Sequence, residues 1–436
     1  MMSFSSSSAS STTTATSNTT PPPLNIAIIG AGIAGLSCAR VMLQAHPTPR
    51  ITLFEKSTTH GRCATRDVPG IGSFDHGAPH FSALSPEFQA QVQKWQEEGL
   101  VMPASSSSSS PSLWPGHYVV HPSMRSLPTH LAQGLSIQRP FLITKLEMKE
   151  TKNQQQEQHR CAATTTTTTT TSSSDSTTTY NSNNNDNNKR GQWILHHDDG
   201  KITQKFDAVV VAVPAEQSIP LLEPVSPALA APLIDVKSAS CLSVMAAWDQ
   251  PVGAHFTEWK KAKAEEKGED EGILYSARRD DLKTPGRPGG EGGKEGGGER
   301  WVMHATPAFS ASHIQTEPFP KEKVILNVLD AFFKEVERGK EGEREGGKKD
   351  MGEERAPRPV YLSVQRWLYA QTFNPSEEPF GWEEREKVGA CGDGWQGRRE
   401  GGEEEEGKGG IERAWLSGRR LGEAMLVSLG LRKEEK

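Results

Sequence analysis

The first strong pattern along the chain is a short apolar run, Ile26 to Ile29, closed by Gly30. A run of that length, β-branched at three of four positions, predicts a strand buried on both faces. Leu36, Ala39 and Leu43 then recur at helical spacing, and Ile51 to Phe54 predicts a second buried strand. Ser85 to Gly99 predicts a helix, with Ser85 as its cap, Pro86 in the first turn and Glu87 beside it. Its Phe88, Val92 and Trp95 fall on one face. Tyr118 to Val120 reads as a short strand, and Met124 to Gly134 as a helix entered through Pro122-Ser123. Phe141 to Met148 and Trp193 to His196 read as the arms of a hairpin, and Val209 to Val213 as a buried strand ended by Pro214. Cys241 to Trp248, Ile273 to Ala277 and Trp301 to Ala305 predict strands of a second region, followed by an amphipathic helix from Lys321 to Glu337. Val360 to Ala370 returns as strand, Ala390 to Asp393 ends another, and Ile411 to Leu429 forms a closing helix.

Between these elements lie polar stretches with no periodicity: 105–110, 151–190, 284–299, 339–359 and 397–410. Ser, Thr, Asn and Gly/Glu/Lys tracts bury too little apolar surface to offset the entropy of ordering. Loop closure becomes costlier only slowly with length, so hairpin tips tolerate them. What remains is roughly 320 residues of ordinary globular sequence. Residues 1–23 are Ser/Thr-rich, without acid, Arg or Lys, and lack the basic start and apolar core of a secretory signal. They read as a disordered segment, and plastid targeting stays open.

The formal net charge of −6 argues against a general nucleic-acid or anionic-membrane binder. No apolar run approaches the roughly 18 residues that a membrane helix needs. The expectation is a soluble protein of the cytoplasm or a plastid. The five cysteines (Cys38, Cys63, Cys161, Cys241 and Cys391) are odd in number and scattered. They supply neither a disulfide framework nor zinc spacing, and no metal site is expected.

The opening strand runs into Gly30-x-Gly32-x-x-Gly35. Gly30 allows a tight turn, Gly32 lets backbone approach a pyrophosphate, and Gly35 lets the helix pack on the strand. The helix then aims its first amides, those of Ile33 and Ala34 among them, at the phosphates. Glu55 follows at the end of the second strand, with Lys56 beside it, at the distance where a carboxylate accepts from ribose hydroxyls. Together these features predict a site for an ADP-containing dinucleotide.

Further segments are hard to explain by packing alone: Thr58 to Arg66, Phe74 to Phe81, His304 to Pro307, Gln365 to Ala370, Gly392-Asp393, and Ala414 to Gly418. In this order they resemble the renalase-like branch of the flavin amine oxidase superfamily, over nearly all of the non-insert sequence. The resemblance implies FAD at the opening loop. It implies that Gly61 and Arg62 line the pyrophosphate, where a Gly-Gly pair is replaced by His60-Gly61. It places Gly392 and Asp393 at the ribityl chain or a pyrophosphate-bound water, and makes Ala414, Trp415 and Leu416 open the last helix with amides near the flavin. A family Gly-Ala-Gln-Tyr-Phe becomes Gly77-Ala78-Pro79-His80-Phe81. Cys391 suggests either a covalent flavin link or, more simply, a small buried residue ending a strand.

The candidate catalytic residues are His76, Trp367 and Tyr369. His76, like His304, is either ligand-facing or a hydrogen-bonded structural histidine. Trp367 and Tyr369 share one face of a strand by period two, as core or as an aromatic wall over the flavin ring.

The expected fold is α/β: a Rossmann-type FAD-binding domain (24–83, 130–222 and 360–432) interleaved with a smaller α+β substrate domain (84–129 and 223–359). The expected chemistry is hydride transfer from a small substrate to FAD, with O2 as acceptor giving H2O2. The resemblance implies a non-standard dihydro-NAD(P) isomer as substrate. Rivals are an amine oxidase or desaturase-like enzyme, and a non-catalytic FAD-binding interaction protein.

Overall fold

The computed structural model describes residues 23–58, 61–104, 116–149, 191–200, 202–261, 272–282, 298–342, 357–397 and 409–433. The first pass lays down β1 (Asn25–Ile29), α1 (Ile33–Met42) and β2 (Arg50–Phe54). A hairpin of β3 (Thr65–Val68) and β4 (Gly72–Asp75) follows, then α2 (Pro86–Glu97). The chain returns through β5 (Ser136–Gln138), β6 (Ile143–Lys149), β7 (Gln192–His197), β8 (Ile202–Phe206) and β9 (Ala208–Val211). A second region holds β10 (Lys237–Trp248), β11 (Glu258–Lys260), β12 (Leu274–Arg279), β13 (Glu299–Ala305), α3 (Pro307–His313), α4 (Lys321–Gly342) and β14 (Tyr361–Phe373). The last pass adds β15 (Gly381–Glu383), β16 (Val388–Ala390) and α5 (Gly410–Ser428).

The first sheet has the order β15-β16-β9-β1-β2-β5. All its pairs are parallel except β15 with β16. Ile26, Ala27 and Ile28 are fully buried between two core clusters, one on each face of the sheet. A strand covered on both faces must be apolar at every position, which is why this stretch shows no alternation. α5 lies along α1, and glycine permits the contact: a Cβ on Gly418 would meet Ala34 O at 2.0 Å. The second sheet, β11-β12-β13-β10-β14, is antiparallel. α4 covers one of its faces through Val324, Val328 and Phe332. The β3–β4 hairpin covers the other, where Phe74 packs on Met245 and Val302.

Several boundaries differ from expectation. The sequence pattern places residues 84–129 in the substrate domain. Phe88, Val92 and Trp95 of α2 instead join the core of α1 and α5. The segment 360–432 is expected in the FAD-binding domain, but its first strand, β14, is the edge strand of the second sheet and pairs along β10. The helix expected over 124–134 is only Ser126–Leu131. Its upstream backbone is held elsewhere, because Met124 N donates to both Asp75 carboxylate oxygens and Arg125 N to the Thr65 hydroxyl, all at 3.2 Å. The predicted inserts and the N-terminal segment lie almost wholly outside the described residues. Where they do not, they are shorter than expected: Glu299 opens β13 and is 6% exposed, and α4 continues to Gly342.

Candidate functional site

Glycine geometry builds the site's first edge. Gly30 has φ +104°, and a Cβ there would meet Ala212 O at 2.4 Å; one on Gly35 would meet Gly30 O at 2.1 Å. Both positions are therefore closed to any other residue. A Cβ on Gly32 would meet nothing within 4 Å, so this backbone faces open space. The first intrahelical bond of α1 is Leu36 N to Gly32 O. The amides of Gly32, Ile33 and Ala34 accordingly have no acceptor among the described residues, at the positive end of a helix.

Glu55 is buried at 7% exposure. Its Oε2 accepts from Ala31 N at 3.0 Å, and its Oε1 from Ser57 N and Ser57 Oγ at 2.9 and 2.7 Å. A carboxylate offers about four acceptor directions, so little capacity is left for two ribose hydroxyls. The glutamate thus fixes the glycine loop as much as it presents a ligand group. Lys56 is exposed beside it.

The second edge comes from far along the chain. Arg62 and Asp393 form a two-pronged ion pair with N···O distances of 2.7 and 2.6 Å. Thr372 Oγ1 donates to the same carboxylate, and Arg413 Nε donates to Asp393 O at 3.1 Å. Burial alone would raise the Asp393 carboxyl, but Arg62, Thr372 and Arg413 hold it down at about 2. Burial would lower the Arg62 guanidinium, and Asp393 keeps it raised. Gly392 N donates to Ser417 Oγ at 3.2 Å, and Gly418 rests on Ala34. The pair is thereby brought beside the N-terminus of α1. Gly61 has φ +58°, while Thr59 and His60 lie outside the described residues.

Ala414, Trp415 and Leu416 do not open the last helix, which begins at Gly410. They lie a turn inside it, where amides are committed to carbonyls of the preceding turn. Trp415 packs on Phe88 and Trp95. Cys391 is 1% exposed, and burial pushes its thiol well above the ordinary range, as suits an inert packed residue.

At the other end of the site His76 stacks on Trp367, ring centroids 5.4 Å apart, and Trp367 Nε1 donates to His76 O at 2.8 Å. Gly77 joins this pair to Arg62: a Cβ there would meet Arg62 O at 2.0 Å and Trp367 at 3.3 Å. Ala78 N donates to the same Arg62 carbonyl at 2.8 Å. The period-two relation expected between Trp367 and Tyr369 does not hold across this strand. The β10–β14 register shifts between the Trp367–Cys241 and Gln371–Ala239 pairs, which breaks the period-two alternation. Tyr369 and its neighbour Leu368 both border a groove of about 590 Å³ beside Ser240 and Pro307.

His76 is 5% exposed, and its Nδ1 has no hydrogen-bond partner among the described residues. Burial, then the Arg66 cation, hold its imidazole at about 4, below the ordinary 6.5. Between those values the unfolded chain takes a proton that the fold refuses, so stability falls as pH is lowered through this window. The thermal midpoint is expected to drop more between pH 6.5 and 4 in the parent than in His76→Phe. Parallel curves for the two would assign the acid loss to other groups.

The residues fit a dinucleotide. Open backbone lies at Gly32, unpaired amides begin α1, and a paired cation stands where a diphosphate needs one. Thr372 and Arg413, which position Asp393, carry no motif of their own and are recognisable only once the fold brings them together.

A family model described as an NAD(P)-binding Rossmann-like domain matches residues 28–95. Similar solved structures include "Putative protoporphyrinogen oxidase" from Exiguobacterium sp. 255-15, at 12% identity and TM-score 0.58, covering 93% of this chain and 99% of that one. Cyclohexylamine oxidase from Brevibacterium oxydans IH-35A matches at 11% identity and TM-score 0.53, covering 94% and 100%. Wild-type putrescine oxidase with bound putrescine matches at 11% and 0.50, covering 93% and 100%. At such identities the likeness is one of fold.

Proposed function

We propose that this protein is an FAD-dependent oxidoreductase that removes a hydride from a small substrate, with O2 as the electron acceptor and H2O2 as the product. The observation that carries the reading is the convergence of Arg62 and Asp393 on the glycine loop, from positions 331 residues apart. The fold shared with a cyclohexylamine oxidase and a putrescine oxidase supports the same class. FAD supplies a two-electron acceptor when bound.

The chain's own residues do the rest. The amides of Gly32 to Ala34 meet the diphosphate, and Arg62, held in orientation by Asp393, neutralises it. Glu55 holds the loop and accepts from the ribose. Trp367 and His76 wall the reacting end and keep water from it, and His76 remains neutral there above about pH 4. Abstracting a substrate proton would call for a base tuned near the working pH, and His76 is poorly suited to that task. A dihydropyridine donor needs no such base, because its ring nitrogen expels the hydride. This favours the renalase-type reading, in which a non-standard dihydro-NAD(P) isomer is oxidised, over amine oxidation.

Anaerobic bleaching of the purified protein by a panel of dihydronicotinamide isomers and amines tests the assignment. Bleaching by the dihydronicotinamides is expected, and bleaching by amines alone would refute the renalase-type substrate. Glu55→Ala is expected to weaken FAD retention by roughly 1.5–3 kcal/mol, the range for a hydrogen bond to a charged acceptor. Full retention on dialysis would remove Glu55 from the site.

A further inference from the structure

The face of the second sheet that lies under the β3–β4 hairpin carries a polar row beside its apolar cluster of Phe74, Met245 and Val302. Gln365 of β14, Ser243 of β10, His304 of β13 and Ser276 of β12 are successive direct cross-strand neighbours. Their side chains therefore project from one face. Ser243 is fully buried, yet its hydroxyl has no partner among the described residues. His76, stacked on Trp367 next to this row, leaves its Nδ1 in the same condition.

Arg66 faces the row from β3. It is paired across the hairpin with Phe74, whose ring packs on this same face. Its Nη1 donates to Ser363 Oγ at 2.7 Å and its Nη2 to Gln365 Oε1 at 2.9 Å. Both partners are neutral. Among the described residues no carboxylate forms an ion pair with Arg66. Its sequence neighbour Asp67 pairs with Arg125 at 2.6 Å, and Asp75 accepts from Thr65 and Met124. A half-buried guanidinium fixed in place by neutral groups meets no countercharge in them and has further donors to offer.

We propose that Arg66, with Gln365, Ser243 and His76 around it, receives an anionic group of the substrate, a phosphate or a carboxylate. The inference rests on the oxidoreductase reading above and gives that site a substrate class. A planar guanidinium binds either anion through two parallel hydrogen bonds, stronger than those to its present neutral partners. An orphaned hydroxyl and an orphaned imidazole nitrogen are the polar groups that such a ligand would satisfy. A cationic amine in the same place would meet Arg66 as a like charge.

The test uses the protein with the FAD it carries and two matched ligand pairs. Nicotinamide mononucleotide differs from nicotinamide riboside by one phosphate, and benzoate carries a carboxylate where benzylamine carries an ammonium. Binding is read by titration calorimetry and by perturbation of the flavin absorbance, neither of which requires turnover. At least one anionic member is expected to bind ten-fold or more tightly than its counterpart. That advantage should fall below three-fold in Arg66→Gln and persist in Arg66→Lys. An advantage confined to the mononucleotide identifies a phosphate site, and one confined to benzoate a carboxylate site. Equal or tighter binding of both the riboside and benzylamine by the parent protein overturns the proposal, as does an unchanged advantage in Arg66→Gln. If that variant does not fold, the parent comparison still decides, together with Gln365→Leu, in which the advantage should shrink several-fold. A colourless protein that cannot be reconstituted sinks the oxidoreductase reading itself. A yellow one indifferent to ligand charge sinks only the anion site.

Discussion

Replacing Asp393 by alanine is expected to destabilise the protein by about 3 kcal/mol, the scale for removing one partner of a buried ion pair, and to release FAD. The carboxylate is 6% exposed, so its loss removes the paired countercharge of the Arg62 guanidinium, which is itself only 31% exposed. Thr372 Oγ1 loses its acceptor in the same step. Asp393→Asn should cost less, since it keeps the shape and one acceptor oxygen while removing the charge. Urea unfolding with flavin absorbance on the same samples separates the two effects. An alanine variant with the parent midpoint would mean that the pair carries no stability. The same pair predicts acid behaviour of definite sign. Because the Asp393 carboxyl sits at about 2, below the ordinary 3.8, its contribution is complete above that ordinary value. It disappears as pH falls towards 2.

Gly77→Ala is expected to have the second large effect, through geometry alone. A Cβ at this position would lie 2.0 Å from Arg62 O and 3.3 Å from the Trp367 ring. No rotamer relieves a clash with backbone, so the Arg62 loop or the His76 strand end must shift, at about 1–3 kcal/mol for a strained insertion. Either shift separates Arg62, the cation proposed for the diphosphate, from the His76–Trp367 wall proposed for the reacting end. The variant should therefore lose FAD and show a lower thermal midpoint together. A fully yellow Gly77→Ala with the parent midpoint would mean that this contact is not constrained.

The elements legible in the sequence were those whose cause is local. The β1 run, the glycine spacing and the Ser85 cap each declare themselves within a few residues, and each is found where expected. Assignment of segments to units was less legible, because it depends on partners distant in sequence. α2 looks like any amphipathic helix until α1 and α5 receive Phe88 and Trp95. β14 looks like a strand of either sheet until its register with β10 is known. The shared face expected for Trp367 and Tyr369 meets a related limit: alternation along one strand cannot reveal a register shift that exists only relative to its neighbour. Arg66 ends one of the segments that packing alone does not explain, yet a lone arginine in sequence carries no sign of whether a carboxylate will meet it.

The strand order of the first sheet has a consequence for how the chain is made. β9 is laid down beside β1, but its other edge is covered only by β16, roughly 180 residues later, on the order of ten to forty seconds at ribosomal speeds. During that interval Val209 to Val211 present an apolar edge with unpaired backbone groups, the kind of surface that recruits foreign strands. α5, which covers α1, emerges later still. Nascent chains halted before β16 should therefore be far more prone to aggregate, or to engage chaperones, than chains released complete.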